Sequence, residues 1–596
     1  MHSLNLAVIG NCAIASLIDR QGRHLWFCFP RLDADPVFSA LLGGREPDQG
    51  FMDVVVRDAI ETTQRYLPNT AVLETVITDR NGGKVRIVDF APRFEQFGRR
   101  FHPPMIVRRI EPLAKRPRLC VRLRPLFNYG ADKPSVSFGS NHVRFIGPNM
   151  TLRVTSDIPT SYLLEEAEFA LDRPLTLLIG ADESIPENPD SLAQTFLTNT
   201  INDWRAWVRG LSIPFEWQEA VIRSAITLKL CSAEDTGAIV AALTTSIPEA
   251  PNTQRNWDYR FCWLRDAFFT VGALNRLGAT QTMERFIRFV IDAVLRDDDV
   301  SIVPLYPISP GVSSNERIAP ALAGYQGMGP VRIGNAAVSQ VQNDVYGSLI
   351  MTAAQMFYDE RLGLSDPLGL YHQLRNIGRL AARHAVTPDA GPWEYRGRVV
   401  VTTYSAAMCW AALHRLALIA KRVGETAEAA EWESAARDLR AEILARATTP
   451  DGWLSGAFDR PVADATSLLL PEIGLLPPND PRVAKTLEIT RERLMHDGFV
   501  MRYDEADDFG HPETAFLVCS FWYVDALALA GRRDEAREIF TNILSVRNAA
   551  GLLSEDVAPT TRLLWGNFPQ AYSHVGLIHS ATRLSRGWEE SLWRAS

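Results

Sequence analysis

The sequence contains few cysteines, no cluster of basic residues and no long apolar run. Its seven cysteines are scattered over 596 residues without a CxxC pair, which argues against a disulfide framework or a cysteine-based zinc site. The net charge of -8 argues against nucleic acid or an anionic membrane as a partner, because both attract clustered lysine and arginine. No apolar stretch reaches the ~18–20 residues that span a bilayer.

The N-terminal stretch LNLAVIGNCAIASLI has the apolar character of a signal-peptide core. No basic flank precedes it, however, and Gly10-Asn11 interrupts it, so secretion by this route is disfavoured. We therefore expect a cytoplasmic protein with reduced thiols. We expect neither a metal ion nor another cofactor, and the sequence leaves open whether the chain forms a homo-oligomer.

The first third of the chain has the pattern of an all-β region. The segment TAVLETVITDRNGGKVRIVDFAP alternates apolar and polar residues on both sides of Asn81-Gly82-Gly83, which predicts a β-hairpin with its turn at these three residues. Further short β-branched runs, such as NHVRFIG and PLTLLIG, follow. The pattern predicts an antiparallel β-sandwich over residues 1–190.

The periodicity changes to that of helices near residue 190. A helical linker is predicted over 191–214, and an all-α domain over 215–596, where a toroid of paired helices would let the loops converge on one face. The predicted helices of this domain are 216–231, 266–278, 281–295, 337–359, 404–421, 425–446, 482–496, 514–530, 533–545 and 569–584.

Several loop-like segments combine aromatic residues with carboxylates or arginine. A pyranose packs its C–H faces on aromatic rings and pairs its hydroxyls with arginine and carboxylates, and hydrolysis of a glycosidic bond needs two carboxyl groups beside that bond. These segments therefore indicate a sugar site. They are NWDYRFCWLRD (256–266), QNDVYG (342–347), GPWEYRG (391–397) and MRYDE (501–505), together with GLLSEDVAP (551–559), which carries carboxylates but no aromatic residue.

Each segment also has a purely structural interpretation. Trp257 and Trp263 can be core aromatics, and Asp266 can be the N-cap of a helix. Glu394, between two aromatic residues, and Glu555 can be loop carboxylates. Only the combination of all the segments favours a site.

The combination resembles glycoside hydrolase family 15, which contains glucoamylases, glucodextranases and prokaryotic trehalases. The motifs are NWDYRFCWLRDAFFTVGAL, GPWEYRG, MRYDE and GLLSEDVAPTTRLLWGNFPQAYSHVGLI, and the N-terminal IGNCAIASLIDRQGRHLWFCFPRLDADPVFSALLGG resembles the sandwich domain of the trehalase-like branch. The resemblance covers nearly the whole chain. It implies an (α/α)6 barrel after the sandwich, and hydrolysis of a short α-glucoside with inversion.

The resemblance also implies roles for individual residues. Glu394 matches the general acid and Glu555 the general base. The other matched positions bind or line the subsite of the terminal glucose, and they are Tyr259, Trp263, Arg265, Asp266, Trp393, Arg502 and Tyr572. Asn343 and Asp344, in QNDVYG, are further candidates for binding the substrate.

The substrate is left open between trehalose and α-1,4- or α-1,6-linked oligoglucosides. Ala321 and Gln326 replace a histidine and an arginine that are common in the branch, at positions that we expect on the leaving-group side. We expect the loop 27–36 to form part of the wall there, although it can also be an ordinary turn of the sandwich. A glucan-binding protein without turnover and an inverting phosphorylase are disfavoured, because both carboxylates are present.

Overall fold

The structure is a computed structural model that describes residues 4–295 and 302–590. Residues 1–3, 296–301 and 591–596, which the predicted domain bounds include, lie outside the described residues.

Residues 4–180 form mainly β-strands, as their alternating pattern predicts. The strands are β1 (Ala7–Gly10), β2 (Ala15–Ile18), β3 (His24–Cys28), β4 (Pro36–Phe38), β5 (Gly43–Gly44), β6 (Phe51–Val56), β7 (Ala59–Tyr66), β8 (Leu73–Asp79), β9 (Lys84–Phe90), β10 (Phe94–Gln96), β11 (Arg99–Phe101), β12 (Ile106–Ala114), β13 (Arg118–Arg124), β14 (Ser135–Phe138), β15 (His142–Ile146), β16 (Thr151–Ser156), β17 (Phe169–Ala170) and β18 (Leu175–Gly180).

Two antiparallel sheets contain most of these strands. One has the order β1-β2-β3-β6-β13-β17, with β4 beside β3, and the other has the order β14-β15-β16-β18-β12-β9-β8-β7. The predicted hairpin is the pair β8–β9, where Leu73 lies opposite Asp89 and Gly82 has a φ of 79°. The apolar faces of both sheets contribute to one hydrophobic core, for example Phe27 from the first sheet and Ile87 from the second.

Helices dominate the chain after β18, and one short helix, α1, lies within the β-rich region. They are α1 (Thr160–Leu164), α2 (Pro189–Arg209), α3 (Gln218–Leu230), α4 (Leu264–Arg276), α5 (Thr280–Val294), α6 (Asp344–Tyr358), α7 (Pro367–His384), α8 (Thr403–Val423), α9 (Thr426–Ala447), α10 (Pro481–Ile489), α11 (Leu517–Leu529), α12 (Arg533–Leu544) and α13 (Ala571–Leu584). In the described residues, no helix is both long enough and apolar enough to cross a membrane.

Short strands join the helices. They are β19 (Phe261–Trp263), β20 (Leu305–Pro307), β21 (Arg317–Ile318), β22 (Gly324–Tyr325), β23 (Arg332–Ile333), β24 (Met495–His496), β25 (Phe499–Val500), β26 (Ala515–Phe516), β27 (Asp556–Val557) and β28 (Leu564–Trp565). Among them, β22 pairs with β5 of the N-terminal region.

Most of the predicted helices are found close to their predicted bounds, with three differences. Helix α7 was not predicted, although Asp366 caps it by accepting from Gly369 N and Pro367 is its first residue, a typical start signal. The predicted helix 337–359 begins only at Asp344, after a 3-10 turn. The predicted helix 482–496 is α-helical only to Ile489, continues as a π-helix over Thr490–Leu494, and is followed by the strand β24 at Met495.

The strand-rich and helical regions share buried contacts. The indole of Trp26 in β3 donates to the carbonyl of Leu243 at 2.9 Å, and Arg260 donates to Tyr129 Oη at 2.8 Å. Helix α2 covers the outer face of the second sheet, where Leu197 packs with Val88 and Val107. The N-terminal region therefore supports the segment 256–266 from behind.

Candidate active site

One cavity in the helical region brings together nine of the eleven predicted site residues. These nine are Tyr259, Trp263, Arg265, Asp266, Trp393, Glu394, Arg502, Glu555 and Tyr572. They come from loops and helix starts that are far apart in the sequence. Convergence of such loops on one face is what the helical pattern predicts for this region.

The segment 256–266 is both core and cavity wall, because its extended backbone points alternate side chains to opposite sides. Trp257, Tyr259 and Trp263 line the cavity. Asp258 and Arg260 point the other way and form a buried ion pair of 2.8 Å. The buried pair fixes the backbone that holds the aromatic side chains in the wall.

Glu394 occupies a strained position in a turn between α7 and α8. Its φ of 61° is a left-handed conformation that costs about 1–2 kcal/mol for a residue other than glycine, and such strain clusters at functional sites. Its Oε1 accepts from Trp263 Nε1 at 2.7 Å and from Arg265 Nη2 at 3.1 Å. The carboxyl group is thus oriented by two donors from the start of α4.

Glu555 lies in the same cavity and is almost completely buried, with 1% exposure. Its Oε1 accepts from Tyr259 Oη at 2.7 Å and from Arg502 Nη2 at 3.3 Å. Burial raises the pKa of Glu555 well above its usual range, the nearby carboxyl groups Asp556 and Glu249 raise it further, and Arg502 and the Tyr259 hydroxyl lower it. Tyr259 and Trp263, the donors to the two glutamates, have ring centroids 5.2 Å apart.

Arg502 lies among three carboxyl groups. Its guanidinium lies 3.3 Å from Glu555, 2.9 Å from Asp556 and 3.5 Å from Glu249. Glu249 also lines the cavity and accepts from Trp257 Nε1 at 2.9 Å. Neither Glu249 nor Asp556 was predicted as a site residue. Asp556 directly follows Glu555 in a quoted motif, whereas Glu249 lies in a stretch without aromatic neighbours, IPEAP.

Asp266 faces the cavity in the first turn of α4, but it does not cap the helix. The N-cap residue is Trp263, without a side-chain cap hydrogen bond, so the N-cap interpretation of Asp266 is wrong. Burial raises the pKa of Asp266 to about 7, while Arg265 lowers it and the charges of Glu394 and Asp344 raise it. The carboxyl group is therefore available for a ligand rather than for the helix backbone.

Asn343 and Asp344 lie behind the wall and are not among the residues that line the cavity. The side-chain amide of Asn343 donates to the carbonyl and hydroxyl of Thr387, each at 3.1 Å. Asp344 is fully buried, and burial raises its pKa to about 6, with the positive charge of Arg265 opposing this. Neither residue therefore belongs to the cavity wall.

The outer part of the cavity is formed by aromatic and charged side chains. The rings of Trp257 and Phe509 are 5.5 Å apart, and the guanidinium of Arg396 lies 4.0 Å over Trp257. Arg255 holds the loop of Phe509 through two hydrogen bonds to Asp507, of 2.5 and 2.6 Å. This rim surrounds the space next to the two glutamates.

The N-terminal loop 27–36 does not form part of this wall, contrary to the prediction. None of its residues lines the cavity, and the carbonyl of Ala34 instead accepts from Arg260 at 2.9 Å. Ala321 and Gln326 are also absent from the lining. They belong to the segment around β22, which pairs with β5.

A family model described as "Glycosyl hydrolases family 15" matches residues 217–582, and one described as "Trehalase-like, N-terminal" matches residues 4–156. The chain belongs to glycosyl hydrolase family 15. It is accordingly a glycoside hydrolase that acts on a sugar substrate.

Curated relatives of this family 15 chain are named trehalases. The trehalase of Thermoplasma volcanium is 30% identical over 97% of this chain and 92% of its own length. The trehalase of Mycobacterium tuberculosis is 30% identical over 98% of this chain and 90% of its own length. Among solved structures, a bacterial glucoamylase complexed with acarbose aligns with a TM-score of 0.69 at 14% identity, over 98% of this chain and 94% of that one. This last similarity concerns the fold alone.

Proposed function

We propose that this family 15 hydrolase is an α,α-trehalase that cleaves with inversion and releases β-glucose. The observation that carries the proposal is the meeting of Glu394 and Glu555, with Arg265 and Asp266, in one cavity. The relatives named trehalases, which align over nearly the whole chain, support trehalose as the substrate.

In the proposed mechanism Glu394 is the general acid. It donates a proton to the glycosidic oxygen as the bond to the anomeric carbon breaks. Trp263 and Arg265 orient the carboxyl group through Oε1, and this leaves Oε2 to carry the transferred proton. The leaving sugar departs as a neutral alcohol.

Glu555 is the general base of the proposed mechanism. It removes a proton from a water molecule, whose oxygen bonds to the anomeric carbon from the face opposite the leaving group. The hydroxyl of Tyr259 orients Glu555, and Arg502 stabilises its ionised form. Since the water must fit between base and sugar, we expect the two carboxyl groups to lie ~6.5–9.5 Å apart.

We also propose the finer architecture that the family implies. Residues 1–190 form a β-sandwich domain, 191–214 a helical linker, and 215–596 an (α/α)6 barrel. The common core of the two sheets supports the sandwich. Loops converging on one cavity support the barrel.

A substrate panel tests the proposed function. The wild-type chain is incubated with trehalose, maltose, isomaltose, nigerose, starch and a series of maltooligosaccharides, and glucose release is measured. We expect the highest kcat/KM on trehalose, with starch a poor substrate. Rates that rise with the length of the maltooligosaccharide, together with poor activity on trehalose, would contradict the proposal and favour a glucoamylase- or glucodextranase-like enzyme.

Asp266→Asn is expected to lower kcat/KM on the best substrate by about 10- to 100-fold. A hydrogen bond from a sugar hydroxyl to a charged group contributes about 1.5–3 kcal/mol, and the amide keeps the shape but not the charge. The melting temperature should change by only a few degrees, because Asp266 makes no capping hydrogen bond. A large fall in melting temperature with normal kinetics of the folded protein would support a structural role instead.

Glu249→Gln is expected to shift the acid limb of the kcat/KM profile to lower pH. The base Glu555 must be ionised to act, and the charge of Glu249 raises the pKa of Glu555. Removing that charge lowers this pKa, so Glu555 stays ionised in more acidic solution. The measurement is kcat/KM from pH 4 to 9, and an acid limb that stays in place or moves to higher pH would contradict the assignment.

A further inference from the structure

Two tyrosine hydroxyls on the cavity wall have no hydrogen-bond partner. Tyr404 and Tyr572 line the cavity and are only 2% and 4% exposed. Within residues 4–295 and 302–590, these two tyrosine hydroxyls are the ones that are buried without a hydrogen-bond partner. Outside the cavity the fully buried Tyr523 is paired, since its hydroxyl donates to the carbonyl of Leu487 at 3.4 Å.

The two unpaired hydroxyls share their surroundings with the Arg265–Asp266 pair. Burial raises the pKa of both phenols, the charge of Asp266 raises it further, and the charge of Arg265 lowers it. Tyr404 also contributes to the raised pKa of Tyr572. Asp266 is itself only loosely paired, with its carboxylate 3.9 Å from Arg265 Nε. One part of the wall therefore combines two hydroxyls, a carboxyl group and a guanidinium.

The two hydroxyls depart from the usual pairing of buried polar groups within a protein. Each buried donor or acceptor without a partner costs about 1–3 kcal/mol, and buried polar groups are usually paired. The local structure gives no reason for a hydroxyl at position 404. The first turn of α8 is already capped by Thr402, which accepts from Ser405 N, so the phenol is not needed for the helix.

We propose that the Tyr404 hydroxyl binds a ring hydroxyl of the terminal glucose, beside Asp266 and Tyr572. A sugar hydroxyl both donates and accepts, so it can donate to Asp266 while it accepts from Tyr404. The inference rests on the proposed function for the identity of the sugar. It adds Tyr404 as a sugar-binding residue. The sequence pattern does not reveal this role, because a tyrosine in the apolar run YSAAMCW is typical of a helix core.

Tyr404→Phe tests the inference through the binding of free glucose, which requires no turnover. Removing the hydroxyl keeps the ring, so calorimetric titration with glucose should give a Kd about tenfold higher than for wild type. The melting temperature should stay the same or rise, since an unpaired buried hydroxyl is lost. Tyr523→Phe is the matched control: it removes a paired hydroxyl outside the cavity, and glucose binding should not change.

Deoxyglucoses identify the hydroxyl that Tyr404 contacts. Titrations with 2-, 3-, 4- and 6-deoxyglucose should show one analogue that binds wild type and Tyr404→Phe equally, because its missing hydroxyl is the partner. Equal binding of glucose itself by both proteins, or an equal loss for every analogue, would overturn the inference. Hydrolysis of the substrate panel by wild type is measured separately, so a failure of the proposed function remains distinguishable.

Discussion

Glu555→Gln is expected to lower kcat by at least ~10²-fold, the range in which general-base catalysis contributes. Glutamine keeps the size of the side chain and can still accept from Tyr259, but it cannot take a proton from water. Substrate binding should persist, because Arg265, Asp266 and Trp263 are untouched. The measurements are kcat and KM on the best substrate, with substrate affinity determined by calorimetry.

Asp525→Asn is the matched control for Glu555→Gln. Asp525 is also a carboxyl group whose pKa burial raises to about 7, but it faces Arg583 outside the cavity. The control should change stability rather than kcat. If Glu555→Gln retains near-normal kcat, the assignment of Glu555 as base is wrong.

Glu394→Gln is expected to produce a comparable loss on natural substrates, at least ~10²-fold in kcat, for a different reason. The leaving sugar is a poor leaving group unless its oxygen is protonated, and the amide cannot supply that proton. The contacts of Oε1 with Trp263 and Arg265 leave the position of the side chain unchanged. The measurement is kcat on trehalose or on the best substrate of the panel.

A substrate with an acidic leaving group separates the two roles. Since α-glucosyl fluoride needs little help from an acid, Glu394→Gln should hydrolyse it far better, relative to wild type, than it hydrolyses trehalose. Glu555→Gln should remain slow on both, because each reaction needs activated water. If Glu555→Gln is the variant that hydrolyses the fluoride well, Glu555 is the acid and Glu394 the base. Equal losses on both substrates in both variants would contradict both assignments.

The sequence predicted much of the architecture because its signals are local. Turn chemistry predicts the turn at Asn81-Gly82-Gly83. Helical periodicity predicts that α4 begins shortly after Trp263. Helix α7 was missed although Asp366 and Pro367 mark its start and its buried residues Leu370, Leu374, Ile377 and Ala381 recur at helical spacing. The predicted role of loop 27–36 rested on its composition and on the resemblance to the trehalase-like branch, and neither shows which side of the domain the loop faces.

The site was predicted only in part, since the sequence does not show which residues meet in space. Glu394 was identified from a motif with aromatic neighbours, and Glu555 from the resemblance of its motif GLLSEDVAP to that of family 15. Glu249 and Tyr404 have no such motif: one is an isolated carboxylate and the other lies in an apolar helix start. They become visible only when the fold brings them to the same cavity as Arg502 and Asp266.

The stereochemistry of trehalose hydrolysis tests the proposed function and its mechanism most directly. Proton NMR during the first minutes of the reaction resolves the α and β anomers of the released glucose before they equilibrate. Inversion at one anomeric carbon converts that glucose to the β anomer, while the leaving glucose keeps its α configuration. The mechanism therefore predicts equal initial amounts of α- and β-glucose. Release of α-glucose alone would contradict it, because that result requires retention.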